Sequence, residues 1–379
     1  MFSVTSLGFL PFMALFVCLW YRVPQPSRWK LVLAANAVFC LSIDIGAFFA
    51  VALATAVVWQ AAQHAQPEQP SRRGWLALGL AAALLPLLVL KYSGMLVPGL
   101  RDLYKPFGLA YYSLQLAGYL LDVWHGRTAP TPSYARLWCY AGFFLSLTQG
   151  PFNRYNTLMP QLEAAPKTFE TQRLVSGLQR SAWGYFKKFA IADRAAIVVS
   201  AAFADPASFD RSQLIFATVM YSFQLYADFS GYTDIVLGMG EILGLHLPEN
   251  FRQPFFSASV KELWARWHIS LSQWFRDYVY IPLGGNRKGI ARRDANLLLT
   301  FLVSGLWHGA NWTFLVWGGL HGLCQVAEDH MPAPLRKRKS LPLRIVGVPL
   351  TFAIFVTTFT IFRTSSLGNA AAYFAGILH

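Results

Sequence analysis

The chain has 379 residues, of which 55% are hydrophobic and 13% charged, and this balance excludes the two or three soluble domains that its length alone would suggest. A formal net charge of +14 would favour nucleic-acid binding in a soluble protein, but here the basic residues cluster in short segments between apolar runs. We therefore expect a lipid bilayer, and no nucleic acid, as the partner of the chain.

Apolar runs recur along the chain and predict about nine to eleven membrane helices, some of them short or re-entrant, because a span needs about 20 apolar residues. Short breaks that contain proline separate the runs, and none is long enough to divide domains. The sequence therefore predicts one all-α, polytopic membrane domain over residues 1–379. The runs are 2–21, 31–62, 75–90, 107–121, 137–148, 189–204, 213–245, 297–326, 343–362 and 369–378.

Basic residues between the runs predict the orientation in the membrane. No basic residue precedes the first run and Arg22 follows it, which is the reverse of a secretory signal. The N-terminus is therefore expected outside, with the first helix retained, and the short basic loops are expected in the cytoplasm. These loops carry Arg22, Arg28 and Lys30, then Arg72 and Arg73, then Arg287, Lys288, Arg292 and Arg293, and finally Arg336 to Lys339.

The cysteines do not indicate a metal site or a disulfide framework. All four stand singly in apolar runs, without metal-ligand spacing. We expect them to be packing residues and predict no metal site. They are Cys18, Cys40, Cys139 and Cys324.

Two carboxylates, Asp228 and Asp234, lie within the apolar run 213–245. A spacing of six positions directs them to different sides of a helix, which disfavours a paired acid and base. We expect them to form structural hydrogen bonds to neighbouring helices, and we retain Asp228 as a candidate supporting residue of a functional site.

The stretch 260–278 has the pattern of an amphipathic helix, with apolar residues on one side and charged residues on the other. His268 falls on the apolar stripe together with Trp264, which directs it to the protein interior. The helix is followed by "LGGNRKG", a tight turn that glycine permits and that carries two cations. This loop could hold a phosphate, although a cytoplasmic basic loop has the same composition.

The run 297–326 would form a straight helix of about 45 Å, against a hydrocarbon core of about 30 Å, so it must bend, tilt or split. Gly305 and Gly309 flank Trp307 and His308, which predicts the irregular point at this histidine. A neutral imidazole at depth can accept a proton, the small neighbours leave room for a substrate, and Asn311 could orient the ring. His321, further along the run, is a weaker candidate.

Two segments closely resemble the signature region of the membrane-bound O-acyltransferase (MBOAT) family. They are "PENFRQPFFSASVKELWARWHISLSQWFRDYVYIPLGGNRKG" and "NLLLTFLVSGLWHGANWTFLVWGGLHG", with further matches in "SLQLAGYLLDVWHG", "SLTQGPFNRYNTLMPQL" and "DFSGYTDIVLGMG". The resemblance is to the bacterial branch of alginate O-acetyltransferase and the membrane protein of teichoic-acid D-alanylation. It implies a helical bundle around a tunnel with a funnel towards each membrane face. Relatives usually continue for one or two more membrane helices, which this chain is expected to lack.

The resemblance also implies roles for residues. His308 matches the near-invariant histidine of the family and His268 its second active-site position, so both are expected to be catalytic. His308 would act as general base, and His268 would position the donor carbonyl. We expect the two rings within about 10 Å of each other along one continuous cavity. Supporting or tunnel residues would be Trp264, Trp307, Asn311 and Asp228, and the donor would dock at Asn286, Arg287 and Lys288.

The implied function is transfer of an acyl group, with acetyl preferred, from a cytoplasmic thioester to a hydroxyl of an exported cell-surface polysaccharide. The donor would be acetyl-CoA or an acyl carrier protein, without a bound cofactor. Transfer would be direct or through a periplasmic acetyltransferase partner, in the bacterial cytoplasmic membrane. The alternative is a transporter that uses His268, His308, Asp228 and Asp234 to relay protons or a solute; inverted repeats would favour it, and none is visible.

Overall fold

The computed structural model describes residues 3–100, 103–166, 168–333, 335 and 340–378. Within these ranges every regular element is a helix, and the one β-bridge joins Phe251 to Trp267. The predicted all-α fold class is therefore confirmed. The basic cluster at 336–339, predicted to lie in a cytoplasmic loop, is outside the described residues.

The chain divides into two compact units. One comprises Met1–Tyr185 with Tyr232–Pro248, and the other comprises Phe186–Gly231 with Glu249–His379. The expectation of one membrane domain over residues 1–379 stays a prediction.

The first unit contains helices of very different length, separated by turns. At one of these turns Asp44 ends one helix and begins the next, because its carboxylate accepts a hydrogen bond from the backbone N–H of Gly46 at 2.9 Å. The helices are α1 (Phe9–Arg22), α2 (Arg28–Ile43), α3 (Ile45–His64), α4 (Arg72–Leu96), α5 (Leu109–Trp124), α6 (Tyr134–Ala141), α7 (Tyr155–Ala164) and α8 (Thr171–Phe186).

The second unit is built around a core of aromatic side chains that includes Trp264, Trp267 and Trp317. A π-helical segment, Lys187–Ala192, precedes its first α-helix, and a second π-helical segment, Arg276–Tyr280, follows α12. The helices are α9 (Asp193–Ala204), α10 (Arg211–Ile242, up to residue 231 in this unit), α11 (Val260–Trp264), α12 (Ile269–Phe275), α13 (Ile290–His308), α14 (Trp312–His330), α15 (Leu341–Arg363) and α16 (Leu367–Leu378).

Three helices of the described residues are long and apolar enough to cross a membrane: Ile45–His64, Arg72–Met95 and Leu341–Arg363. Two shorter apolar helices are Phe9–Arg22 and Leu367–Leu378. These apolar helices agree with the predicted membrane protein. The expected total of about nine to eleven membrane helices, which counted short and re-entrant ones, stays a prediction.

The predicted continuous helix over 260–278 is wrong in one respect. The structure breaks it into α11, a turn at residues 265–268, and α12. The predicted interior face is nevertheless buried along its whole length, and Gln273 on the opposite face is exposed. Its buried residues are Trp264, His268, Leu271 and Phe275.

Candidate active site

His308 lies where the long apolar run 297–326 splits. Helix α13 ends at this histidine, and Gly309 follows in an extended conformation with φ −171°. Asn311 then begins α14, because its side-chain oxygen accepts a hydrogen bond from the backbone N–H of Thr313 at 3.2 Å. The predicted break at His308 is confirmed, and the run forms a helical hairpin with the histidine at its turn.

Glycines allow the two helices of this hairpin to touch. A Cβ atom on Gly305 would overlap the carbonyl oxygen of Phe314, and one on Gly318 would overlap that of Phe301. A Cβ atom on Gly309 would overlap the ring of Phe314. The interpretation that Gly305 and Gly309 leave room for a substrate is therefore wrong, because α14 already fills that space.

His268 lies in a left-handed backbone conformation, with φ 45° and ψ 52°, immediately before α12. Asn250 holds this turn from a distant part of the sequence. Its carbonyl accepts a hydrogen bond from Ile269 N at 3.1 Å, and its side-chain oxygen accepts one from Ser270 Oγ at 2.7 Å. The β-bridge between Phe251 and Trp267 joins the same two segments of the chain.

This conformation is unfavourable for a residue other than glycine, by about 1–3 kcal/mol, and such strain is concentrated at functional sites. At His268 it turns the imidazole inwards, where only 2% of the residue is exposed. The strain at His268 therefore supports the hypothesis of a functional role. A fully helical backbone through residue 268 would not have this turn.

The rings of His268 and His308 lie 6.5 Å apart between their centroids, at an interplanar angle of 57°. The distance agrees with the expected value of about 10 Å or less, which allows one small substrate to contact both rings. His308 is partly buried, whereas His268 is fully buried. The family resemblance implied that these two residues, 40 positions apart in the sequence, share one site, and the structure places their side chains next to each other.

Aromatic rings surround the two imidazoles. Trp307 contacts both of them, with its ring centroid 4.8 Å from that of His308 and 6.2 Å from that of His268. The other rings within 5.2 Å of one imidazole or the other are Phe229, Trp317 and Phe362. These rings make the surroundings of the imidazoles largely aromatic, and a low local dielectric strengthens a hydrogen bond or charge interaction between them.

His268 lies outside the three candidate spans, and its surroundings keep it neutral. Burial lowers the pKa of its imidazole well below the usual value, and the neighbouring His308 lowers this pKa further. A neutral imidazole has one N–H donor and one acceptor nitrogen. His268 can therefore donate a hydrogen bond to a carbonyl oxygen at neutral pH.

The second unit contains a cavity of about 320 Å³ that is lined in part by residues close in sequence to both histidines. Trp264 and Ser304 form part of its wall, and each precedes one of the two histidines by four residues, which for Ser304 in α13 is about one helical turn. Neither His268 nor His308 belongs to the wall itself, so the expected continuous cavity past both rings stays a prediction. The lining is Lys261, Trp264, Leu271, Ser272, Phe275, Arg276, Tyr280, Leu297, Thr300, Phe301, Ser304, Gln325 and Asp329.

The cavity has an apolar body and a charged edge. Lys261 and Arg276 contribute exposed cations, and Asp329 forms an ion pair with Lys261. Sequence reasoning did not single out these residues. Arg276 begins the π-helical segment Arg276–Tyr280, and such segments are frequent at functional sites. They have no clear sequence signal, however, so this indication becomes visible only in the structure.

Asn311 and Asp228, two of the predicted supporting residues, are engaged in structural contacts. The amide nitrogen of Asn311 donates to the carbonyl oxygen of Ser365 at 2.6 Å, in addition to the capping bond to Thr313. Asp228 accepts a hydrogen bond from the ammonium group of Lys188 at 2.6 Å. These contacts account for the positions of both side chains without a bound substrate.

Asp234 belongs to the first unit, where its carboxylate accepts a hydrogen bond from Arg180 Nε at 3.1 Å. The expected structural bonding of Asp228 and Asp234 is thereby observed as ion pairs. Each carboxylate thus has a cationic partner within its own unit.

The basic loop begins close to the edge of the cavity, three residues after Tyr280. Asn296 anchors it by donating to the carbonyl oxygens of Leu283 at 3.2 Å and Gly285 at 3.0 Å. The three predicted docking residues are exposed, whereas the anchor is buried. These docking residues are Asn286, Arg287 and Lys288.

Several known proteins have sequences similar to that of this chain. Residues 89–366 match the sequence model of the MBOAT, membrane-bound O-acyltransferase family. A probable alginate O-acetylase of Azotobacter vinelandii is 34% identical over 97% of this chain and 76% of its own length. A peptidoglycan O-acetyltransferase of Helicobacter pylori is 31% identical over 83% of this chain and 66% of its own length. A teichoic acid D-alanyltransferase of Bacillus subtilis is 28% identical over 82% of this chain and 84% of its own length. The chain is therefore an acyltransferase of the membrane-bound O-acyltransferase family.

Proposed function

We propose that the protein transfers an acyl group, with acetyl preferred, from a cytoplasmic thioester to a hydroxyl of an exported cell-surface polysaccharide. The observation that carries this proposal is the pair of imidazoles of His268 and His308, 6.5 Å apart within a ring of aromatic side chains. The acceptor class is supported by the names of the relatives, which act on alginate, peptidoglycan and teichoic acid. We place the enzyme in the bacterial cytoplasmic membrane with its N-terminus outside.

The two histidines have different tasks in the proposed reaction. His308 accepts the proton of the acceptor hydroxyl while its oxygen attacks the thioester carbonyl carbon. His268, held neutral by burial, donates a hydrogen bond to the carbonyl oxygen as negative charge develops there. The C–S bond then breaks, the thiolate leaves and takes up a proton, and the ester remains on the acceptor.

The cavity lined by Trp264 and Ser304 is the proposed site of the donor. Its apolar body, which includes Leu271 and Phe275, suits an acyl-thioester chain, and Lys261 and Arg276 at its edge suit phosphate groups. Acetyl-CoA and an acyl carrier protein both present such a phosphate. The exposed cations Arg287 and Lys288 would add attraction for the donor on the cytoplasmic side. Direct transfer to the polysaccharide and relay through a periplasmic partner would both begin with the donor bound in this cavity.

The proposal is tested with purified protein in detergent and acetyl-CoA labelled in its acetyl group. We expect free CoA thiol to appear, and label to be transferred when an alginate or peptidoglycan fragment or a purified periplasmic partner is added. His308→Ala should abolish both signals, whereas His330→Ala, an exposed histidine in the last turn of α14, should retain them. A monodisperse wild-type protein that releases no thiol from acetyl-CoA or from an acetylated carrier would overturn the proposal.

A further inference from the structure

One buried face of helix α14 contacts the short helix α11 at both of its ends. At the start of α11, Glu328 accepts hydrogen bonds from the backbone N–H groups of Val260 at 2.7 Å and Lys261 at 3.0 Å. At its end, the indole N–H of Trp264 donates to Nδ1 of His321 at 3.3 Å. Glu328 is 6% exposed and His321 is fully buried, so these bonds are made away from water.

The bonds to Glu328 complete the start of α11. The first N–H groups of a helix have no acceptor within the helix. Here Glu328 accepts two of them, and the hydroxyl of Ser259 accepts the next, from Glu262 N, at 3.0 Å. A buried carboxylate at a helix N-terminus is favoured by the partial positive charge there. For a helix of five residues, these external bonds largely determine its position.

The bonds to His321 form a chain whose direction is fixed. Tryptophan can only donate, so Nδ1 of His321 is the acceptor and Nε2 carries the proton. Nε2 donates to the hydroxyl oxygen of Thr358 at 3.0 Å, and that hydroxyl donates to the carbonyl oxygen of Ile354 at 2.7 Å. Both nitrogens of His321 are therefore occupied, and the ring of Trp264 is linked through them to α15.

The position of α11 bears directly on the candidate active site. Trp264 forms part of the cavity wall, and its ring lies 5.6 Å from Trp317, which in turn lies 5.2 Å from His308. The chain reaches His268 four residues after Trp264, through a turn in which Trp267 N donates to Leu263 O at 2.8 Å. Any displacement of α11 would therefore move the cavity wall and the backbone of His268 together.

We propose that His321 and Glu328 are positioning residues, which hold α11 so that Trp264 and His268 keep their geometry relative to His308. This inference rests on the proposed acyl transfer but assigns no chemical step to either residue. A shift of about 1 Å can reduce turnover by about 10²-fold, so partial loss of the contacts should reduce it by about 10-fold. Because Lys261 and Trp264 of α11 also line the proposed donor cavity, the Michaelis constant for the donor should rise as well.

The kinetic test is a double-mutant cycle. His321→Leu and Trp264→Phe each remove the indole–imidazole bond, and each should lower kcat about 10-fold, while the double variant should be no worse than either one. His321→Gln keeps an acceptor for the indole and should restore most of the activity. Multiplicative losses in the double variant, or no rescue by His321→Gln, would overturn the role of this bond.

A test independent of activity uses amide hydrogen exchange of the full-length protein in detergent. Glu328→Gln has one acceptor oxygen instead of two, so exchange in residues 260–268 should become at least about 10-fold faster, with a similar increase for His321→Leu. The matched control is His330→Asn, on the same helix but exposed, which should change neither exchange nor kcat.

The two tests separate failure of this inference from failure of the proposed function. If the variants exchange faster but keep wild-type kcat, α14 holds α11 without positioning the site, and the inference is overturned. Unchanged exchange in 260–268 would overturn it as well. If the wild type itself transfers no acyl group, the proposed function fails, and the exchange measurement still decides whether His321 and Glu328 hold α11.

Discussion

His308 and His321 lie on the two helices of one hairpin, in similar apolar sequence, yet their surroundings differ. His321 is in the middle of α14, and both of its nitrogens are bonded, to Trp264 and to Thr358. His308 ends α13 at a glycine turn, and its ring lies 6.5 Å from a second imidazole. An apolar helical environment is thus common to both histidines, and it does not by itself select the proposed catalytic one. A position at a helix break, beside another polar side chain, is the more specific indication.

The largest effect that distinguishes the two is expected from glutamine substitutions. His308→Gln removes the proposed base and should lower kcat by about 10²-fold or more, with normal protein levels in the membrane. His321→Gln keeps an acceptor for the indole of Trp264 and should remain within about threefold of wild type. Label transfer from acetyl-CoA, normalised to protein, measures both. Equal losses for the two variants would contradict the distinction between them.

The second prediction concerns kcat after substitution of His268, the other imidazole of the pair. His268→Ala removes the proposed donor to the carbonyl oxygen and should lower kcat by about 10²-fold, as loss of one such donor typically does. His268→Asn retains a donor and tolerates the left-handed backbone better than most residues, so it should recover part of this loss. If His268→Ala turned over at the wild-type rate, His308 would act without the second ring.

A third prediction separates helix packing from chemistry within the hairpin. Gly318→Ala would place a methyl group against the backbone carbonyl of Phe301, and such overpacking should reduce the free energy of unfolding by about 1–3 kcal/mol. Gly319→Ala is the matched control, because its methyl group would meet only Leu302 at 3.6 Å. Thermal unfolding in detergent should therefore separate the neighbouring variants. Equal unfolding temperatures would show that the close approach of α13 and α14 does not depend on Gly318.

The smallest effect is expected at the basic loop, away from both histidines. Reversing the charges of Arg287 and Lys288 to glutamate should raise the Michaelis constant for the donor about 3- to 10-fold at low salt and leave kcat nearly unchanged. The neutral variants Arg287→Gln and Lys288→Gln should give an intermediate value. A Michaelis constant that does not respond to these charges at low salt would leave them as determinants of topology only.

Several features follow from local sequence and are observed. The proportion of apolar residues predicts a helical membrane protein, and the length of the run 297–326 together with its glycines predicts a break at His308. The apolar stripe that contains Trp264 and His268 predicts their burial. These predictions succeed because helix length, periodicity and glycine act within a few residues of each other.

The tertiary structure alone decides the remainder. Nothing within 260–278 requires a break at His268, since the left-handed turn is imposed by Asn250, about 20 residues earlier in the chain. Likewise Gly305 would leave open space on an isolated helix, and only the packing of Phe314 against it fills that space. The burial of the apolar stripe and the break in the long run can therefore be predicted from local composition alone. The approach of His308 to the imidazole of His268, and the two hydrogen bonds of His321, depend on contacts between distant segments. These contacts exist only in the folded chain.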